Sequence, residues 1–112
     1  MWFAETTNRL AADQRLHFYE VLAHNLTVAI RGIWADPGIS DAEKVERMKW
    51  VNEVMHRVTA KIYVLRLKTH EWTESDFEDM LLGYIQFYPG IASEIRWAVQ
   101  HSYKIITGEE IA

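Results

Sequence analysis

The chain has 112 residues, enough for one domain that buries a single core, and none is cysteine. Disulfides, thiolate metal ligands and a cysteine nucleophile are therefore excluded, and 49% hydrophobic with 25% charged residues excludes a disordered chain. Sixteen acidic against 12 basic residues leave a net charge of −4, which argues against a general DNA or RNA binder. Such a protein needs Lys and Arg to neutralise phosphates.

The opening MWFAETTNRL has no basic region followed by an apolar run, so no signal peptide is expected. No uncharged apolar stretch nears the ~20 residues of a membrane span. The expectation is a cytoplasmic protein without membrane contact.

A first helix is expected from about Thr7 to Ala35. At about 100° per residue, Leu10, Phe18, Val21, Leu22, Leu26, Val28, Ala29 and Ile33 share one broad face. Asp13, Glu20, Thr27 and Arg31 lie opposite, and Asp36-Pro37-Gly38 ends the helix. A second helix opens at Ser40-Asp41-Ala42-Glu43, a capping-box pattern, and continues to about Thr69. Met48, Val51, Val54, Met55, Val58, Ile62 and Leu65 form its inner face. Lys61, Arg66, Lys68 and His70 gather toward its C-terminal end, where the helix dipole favours cations.

A third helix begins at Thr73, with Asp76 completing a cap and Trp72 and Phe77 placed as a hydrophobic staple. Glu71, Glu74, Asp76, Glu78 and Asp79 are read as helix-end electrostatics. Phe77, Met80, Leu81, Tyr84, Phe87 and Tyr88 make its stripe. Pro89-Gly90 then either kinks this helix or, as favoured, starts a fourth, with Pro89 in the first turn. Ile91, Ile95, Ala98, Val99, Ser102, Ile105 and Ile106 point inward, and Gly108 stops the helix after about Thr107.

The first two helices are each about 43 Å long at 1.5 Å per residue, and their short connection makes them antiparallel. The expected fold is all-α. It is an antiparallel bundle of two long helices plus two shorter ones broken at Pro89-Gly90, one domain over 1–112. Trp50, Val64, Leu67 and Trp97 fall outside the intramolecular stripes, so a homodimer is expected to cover them.

Three constellations bear on chemistry. His17, Glu20 and His24, with Glu53 and His56, have helical ligand spacing of the Glu-x-x-His kind. They are placed on polar faces or flanks, and no metal or other cofactor is expected. Arg96-Trp97-Ala98-Val99-Gln100-His101-Ser102-Tyr103 has the form R-x4-H-x-Y. It resembles the motif of HEPN ribonucleases, which implies an RNA-cleaving site made by Arg96, His101 and Tyr103 across a dimer. Trp97 departs from that family, where the residue after the Arg is usually polar.

His24-Asn25-Leu26 followed by Ala29-Ile30-Arg31-Gly32 resembles the phosphoacceptor box of histidine-kinase dimerisation hairpins, which implies phosphotransfer through His24. Two to three residues between the halves of that box, including its usual Pro, are missing here. No nucleophile elbow or Gly-rich phosphate loop is present. The favoured reading is a non-catalytic helical protein that associates with itself or with a protein partner, or that takes a small apolar ligand. Tyr84, Phe87 and Tyr88 are expected to line its groove.

Overall fold

The computed structural model describes residues 2–68 and 73–110. Five α-helices succeed one another: α1 (Trp2–Asn8), α2 (Ala12–Ala35), α3 (Asp41–Arg66), α4 (Glu74–Phe87) and α5 (Ala92–Thr107). A 3₁₀ turn at Pro89–Ile91 joins the last two. No strand occurs among the described residues.

Helices α2 and α3 form the antiparallel hairpin that carries the rest, and α5 lies along α2 while α4 packs on α1 and α3. The turn between α2 and α3 is closed by polar side chains. Asp36 Oδ1 accepts from the Gly38 N–H (2.8 Å), and Ser40 Oγ accepts from the Glu43 N–H (3.2 Å). The fold is the expected all-α bundle, with no helix among the described residues long and apolar enough to cross a membrane.

The N-terminal end differs from expectation. The single helix expected from Thr7 is two helices, because Ala11 is extended (φ −63°, ψ 159°) and breaks the run. Arg15 explains why the break is stable. Its guanidinium donates to the carbonyls of Thr7 (3.1 Å), which also accepts from the Leu10 N–H, and of Asn8 (3.3 Å) and Leu10 (3.1 Å), at and just beyond the end of α1. The Gln14 side chain accepts from the Ala11 N–H (3.1 Å) at the start of α2.

At Pro89 the choice falls on a true break. Helix α4 stops at Phe87, Tyr88 turns out of helical geometry (φ −135°, ψ 86°), and Pro89 opens the 3₁₀ turn. The far end of α5 is as expected: Gly108 has φ 75°, and its N–H donates to the Lys104 carbonyl (2.7 Å).

The two caps came out unequally. Thr73 and Asp76 satisfy each other's backbone N–H groups (3.1 and 3.2 Å). The Ser40–Glu43 box forms only half, because the Glu43 carboxylate is drawn to Arg47 Nε and the Tyr88 hydroxyl, both at 2.8 Å. Trp72, the partner expected for Phe77, lies outside the described residues, as do Thr69, His70 and Glu71.

The core runs the length of the hairpin, from Phe18, Leu22, Leu26 and Ile33 on α2 to Val51, Val54 and Val58 on α3. Ile91, Ile95, Ala98 and Val99 close it from above. Helix α1 plugs one end, where Phe3 meets Phe77 (ring centroids 5.3 Å apart) and Tyr19 meets Phe77 edge-on (5.1 Å). Val28 and Ile105, expected inward, are exposed, whereas Tyr19 and Asn25 are buried. Asn25 is tolerated inside because its amide donates to Ser102 Oγ (2.9 Å), which in turn donates to the Ala98 carbonyl (2.6 Å).

Candidate functional site

The aromatic residues expected to form a groove do meet, around Trp50, which lies outside the expected intramolecular stripes. Trp50 of α3 lies against Phe87 (4.7 Å between centroids), Tyr84 (6.0 Å) and Tyr88 (6.5 Å). Tyr84 and Phe87 line an open groove of about 550 Å³ between α3 and α4, together with Trp50, Arg57, Met80 and Gly83. Tyr88 does not line it. Its hydroxyl donates to Glu43, which raises the phenol's pKa; the same carboxylate is held below its usual range, first by the hydrogen bond from Arg47 and then by that from Tyr88.

The groove has a charged rim and an open mouth. Arg57 Nε donates to the Tyr84 hydroxyl (3.4 Å), which lifts the guanidinium pKa further, and Lys49 Nζ sits 5.1 Å from the Trp50 ring. Phe87 keeps 70% of its surface in contact with solvent. Gly83 lies within α4, where a glycine costs about 1 kcal/mol relative to alanine. No packing accounts for it, since a Cβ there would meet nothing within 4 Å.

Gly32 repeats the pattern. It lies inside α2 with open space where its side chain would be, and it borders a separate cleft of about 420 Å³ between α2 and α5. Val28, Ile33 and Ile39 supply apolar lining there, and Asp36, Glu94 and Trp97 the rest of the chemistry.

The acidic run is not merely helix-end electrostatics. Glu74 and Glu78 are 5% and 2% exposed, and Lys61, expected in the basic cluster at the C-terminal end of its helix, is 2% exposed. Lys61 Nζ pairs with Glu74 Oε1 at 2.9 Å, with Arg15 Nε 3.9 Å from the same oxygen, and the Tyr19 hydroxyl donates to Glu74 Oε2. Burial first, then the Glu74 charge and hydrogen bond, push the Tyr19 pKa well above its ordinary value.

Glu78 Oε1 accepts from the Phe3 N–H (3.0 Å), while its Oε2 finds no hydrogen-bond partner among the described residues. These contacts fasten α1 and α4 to the hairpin. They form a structural lock.

The other sequence candidates are scattered. His17, Glu20 and His24 border a shallow depression on α2, but Glu20 Oε2 is taken by Arg66 at 2.7 Å, and His17 Nδ1 stands 3.9 Å from Glu20 Oε1. Among the described residues no three His, Asp or Glu side chains are grouped so as to hold a metal ion. His56 is exposed and Glu53 half-buried on α3.

On α5, Arg96 and His101 face solvent while Tyr103 packs toward the core, and the His101 ring stacks on Trp97 (5.1 Å, 15°). His24 is exposed beside the buried Asn25. Comparison with protein-family models, curated proteins and solved structures finds no match.

Proposed function

We propose that this is a non-catalytic, cytoplasmic helical protein that acts by self-association, with the groove between α3 and α4 as the interface of a homodimer. The observation that carries the reading is Gly83 between Met80 and an exposed Phe87, on the open side of α4. Asp76, Met80, Gly83 and Phe87 recur at intervals of four, three and four, so they share one face of the helix.

A second copy of α4, laid antiparallel across this face, approaches closely at Gly83 and buries Phe87 of each copy on the other. A two-fold axis makes the contact self-complementary. Because α4 runs antiparallel to α3, the partner's Asp76 then arrives at the end of the groove where Lys49 sits over Trp50. Opposite charges meet there.

Sedimentation of the parent chain and of Phe87→Glu at micromolar concentration tests the proposal. The parent should sediment at twice the 13.2 kDa chain mass, and the variant as a monomer with unchanged helical circular dichroism. A parent that stays monomeric would overturn self-association and pass the groove to a different protein partner or a small apolar ligand. A dimer indifferent to Phe87→Glu but disrupted at α5, with RNA cleavage lost in His101→Ala, would replace this reading with the nuclease one.

A further inference from the structure

The cleft at Gly32 has a chemistry unlike that of the groove. Its floor is apolar, through Val28, Ile33 and Ile39, and one wall is the indole of Trp97, steadied by stacking on His101. Two carboxylates, Asp36 and Glu94, stand at its edge. Asp36 accepts from the Gly38 N–H and makes no ion pair among the described residues. Glu94 is 3.4 Å from Arg47, but that guanidinium is shared with Glu43 at 2.8 Å, so one cation serves two carboxylates and Asp36 is left over. Among the residues that line the cleft, the only charges are these two carboxylates.

We propose that this cleft binds an organic cation: a compact ammonium head joined to an aromatic or aliphatic body. The head lies by Asp36 and Glu94 against the indole, where cation–π attraction adds to charge pairing. The body fills the apolar floor, in a volume at the small end of the range for ligand pockets.

The competing ligand classes fit worse. An anion meets two carboxylates, and a neutral apolar molecule removes water from them without compensation. A bare metal ion leaves the indole and the floor unused, and the described residues do not group three ligands for it. Gly32 supplies the independent sign. A residue that weakens its helix, and that no packing requires, stands where any side chain would intrude on the cleft.

The test is an NMR titration of the full chain with benzyltrimethylammonium, following the Gly32 amide and the Trp97 indole N–H. Uncharged neopentylbenzene and anionic phenylmethanesulfonate are the controls. Saturable shifts at both positions are expected with the ammonium, and binding at least about tenfold weaker with either control, a difference of about 1.4 kcal/mol.

Gly32→Leu should abolish binding, and Asp36→Asn with Glu94→Gln should weaken it about tenfold or more. Phe87→Glu should leave it unchanged, which keeps this result separate from the fate of the dimer. Equal binding of a control, undiminished binding by Gly32→Leu, or no shift at millimolar ammonium would each overturn the site. Should Gly32→Leu fail to fold, the parent's preference among the three probes decides.

Discussion

The two halves of α4 invert the usual rule. In the first half, Glu74 and Glu78 are buried while apolar Phe77 shares their interior; in the second half, Phe87 stands in water. Partners make the difference. Lys61, Arg15 and Tyr19 converge on Glu74, so that carboxylate enters a low-dielectric site already matched, while the Phe3 N–H reaches one oxygen of Glu78. Phe87 has Trp50 on one side and keeps 70% of its surface exposed among the described residues. One half of the helix is packed within the chain, and the other carries the exposed face that the proposed second copy would cover.

The comparison breaks most easily at the buried pair. Lys61→Met removes the closer of the two cations that pair with a carboxylate that stays buried, and unfolding in urea should show a loss of about 3–5 kcal/mol. Adding Glu74→Leu to it should recover much of that loss, since a buried pair replaced by apolar groups is often neutral. A single variant that loses less than about 1 kcal/mol would place Glu74 in water and erase the contrast.

Tyr19→Phe comes next. It deletes one hydrogen bond to the buried carboxylate, and a loss of about 1–3 kcal/mol is expected at neutral pH. The same variant sharpens the electrostatic side. The folded-state pKa of Tyr19 is raised, so its contribution is complete below about pH 10, the ordinary tyrosine value, and is lost as pH rises toward the folded value. Urea midpoints of the parent should fall with alkali above about pH 10, and less steeply in Tyr19→Phe. Parallel pH profiles would contradict the assignment.

Gly83→Ala runs the other way. A dilute monomer should gain up to about 1 kcal/mol from helix propensity, while dimerisation should weaken because the approach at Gly83 is spoiled. A gain in both would remove the reason for glycine there.

Pro89→Ala has the smallest effect. Since Pro89 begins a 3₁₀ turn after a real break, denaturation should show a loss of at most about 1 kcal/mol. A gain of about 2 kcal/mol would instead mean that the proline strains a helix that wants to continue.

Much of the fold was legible because local chemistry marks it. Ser40, Thr73 and Gly108 announce helix ends, and Pro89-Gly90 announces the break between α4 and α5. The break after α1 carried no glycine or proline. Its cause is Arg15, whose reach back to three carbonyls is a tertiary fact that helical spacing does not encode.

The same limit hid the lock at Lys61 and Glu74. Both residue types prefer solvent, and the 12 positions between them give no sign that their charges meet. The grouping of Tyr84 and Phe87 was visible as an apolar stripe, but Trp50 and Gly83, which give the groove its floor and its open mouth, were not placed there from sequence. Gly83 carried one signal, that of a glycine inside a helix; Trp50 joins only once α3 and α4 are known to run antiparallel.

Because the chain contains no cysteine, one engineered thiol at a time reports cleanly on proximity between copies. Gly83→Cys lies where the two copies of α4 are proposed to cross, and Gln100→Cys lies on exposed α5. Under mild oxidation at micromolar concentration, Gly83→Cys should form a disulfide-linked dimer rapidly, and Gln100→Cys should do so only at the slow rate of random collision. Equal slow rates at both positions, or faster linkage at Gln100→Cys, would contradict association through the groove between α3 and α4.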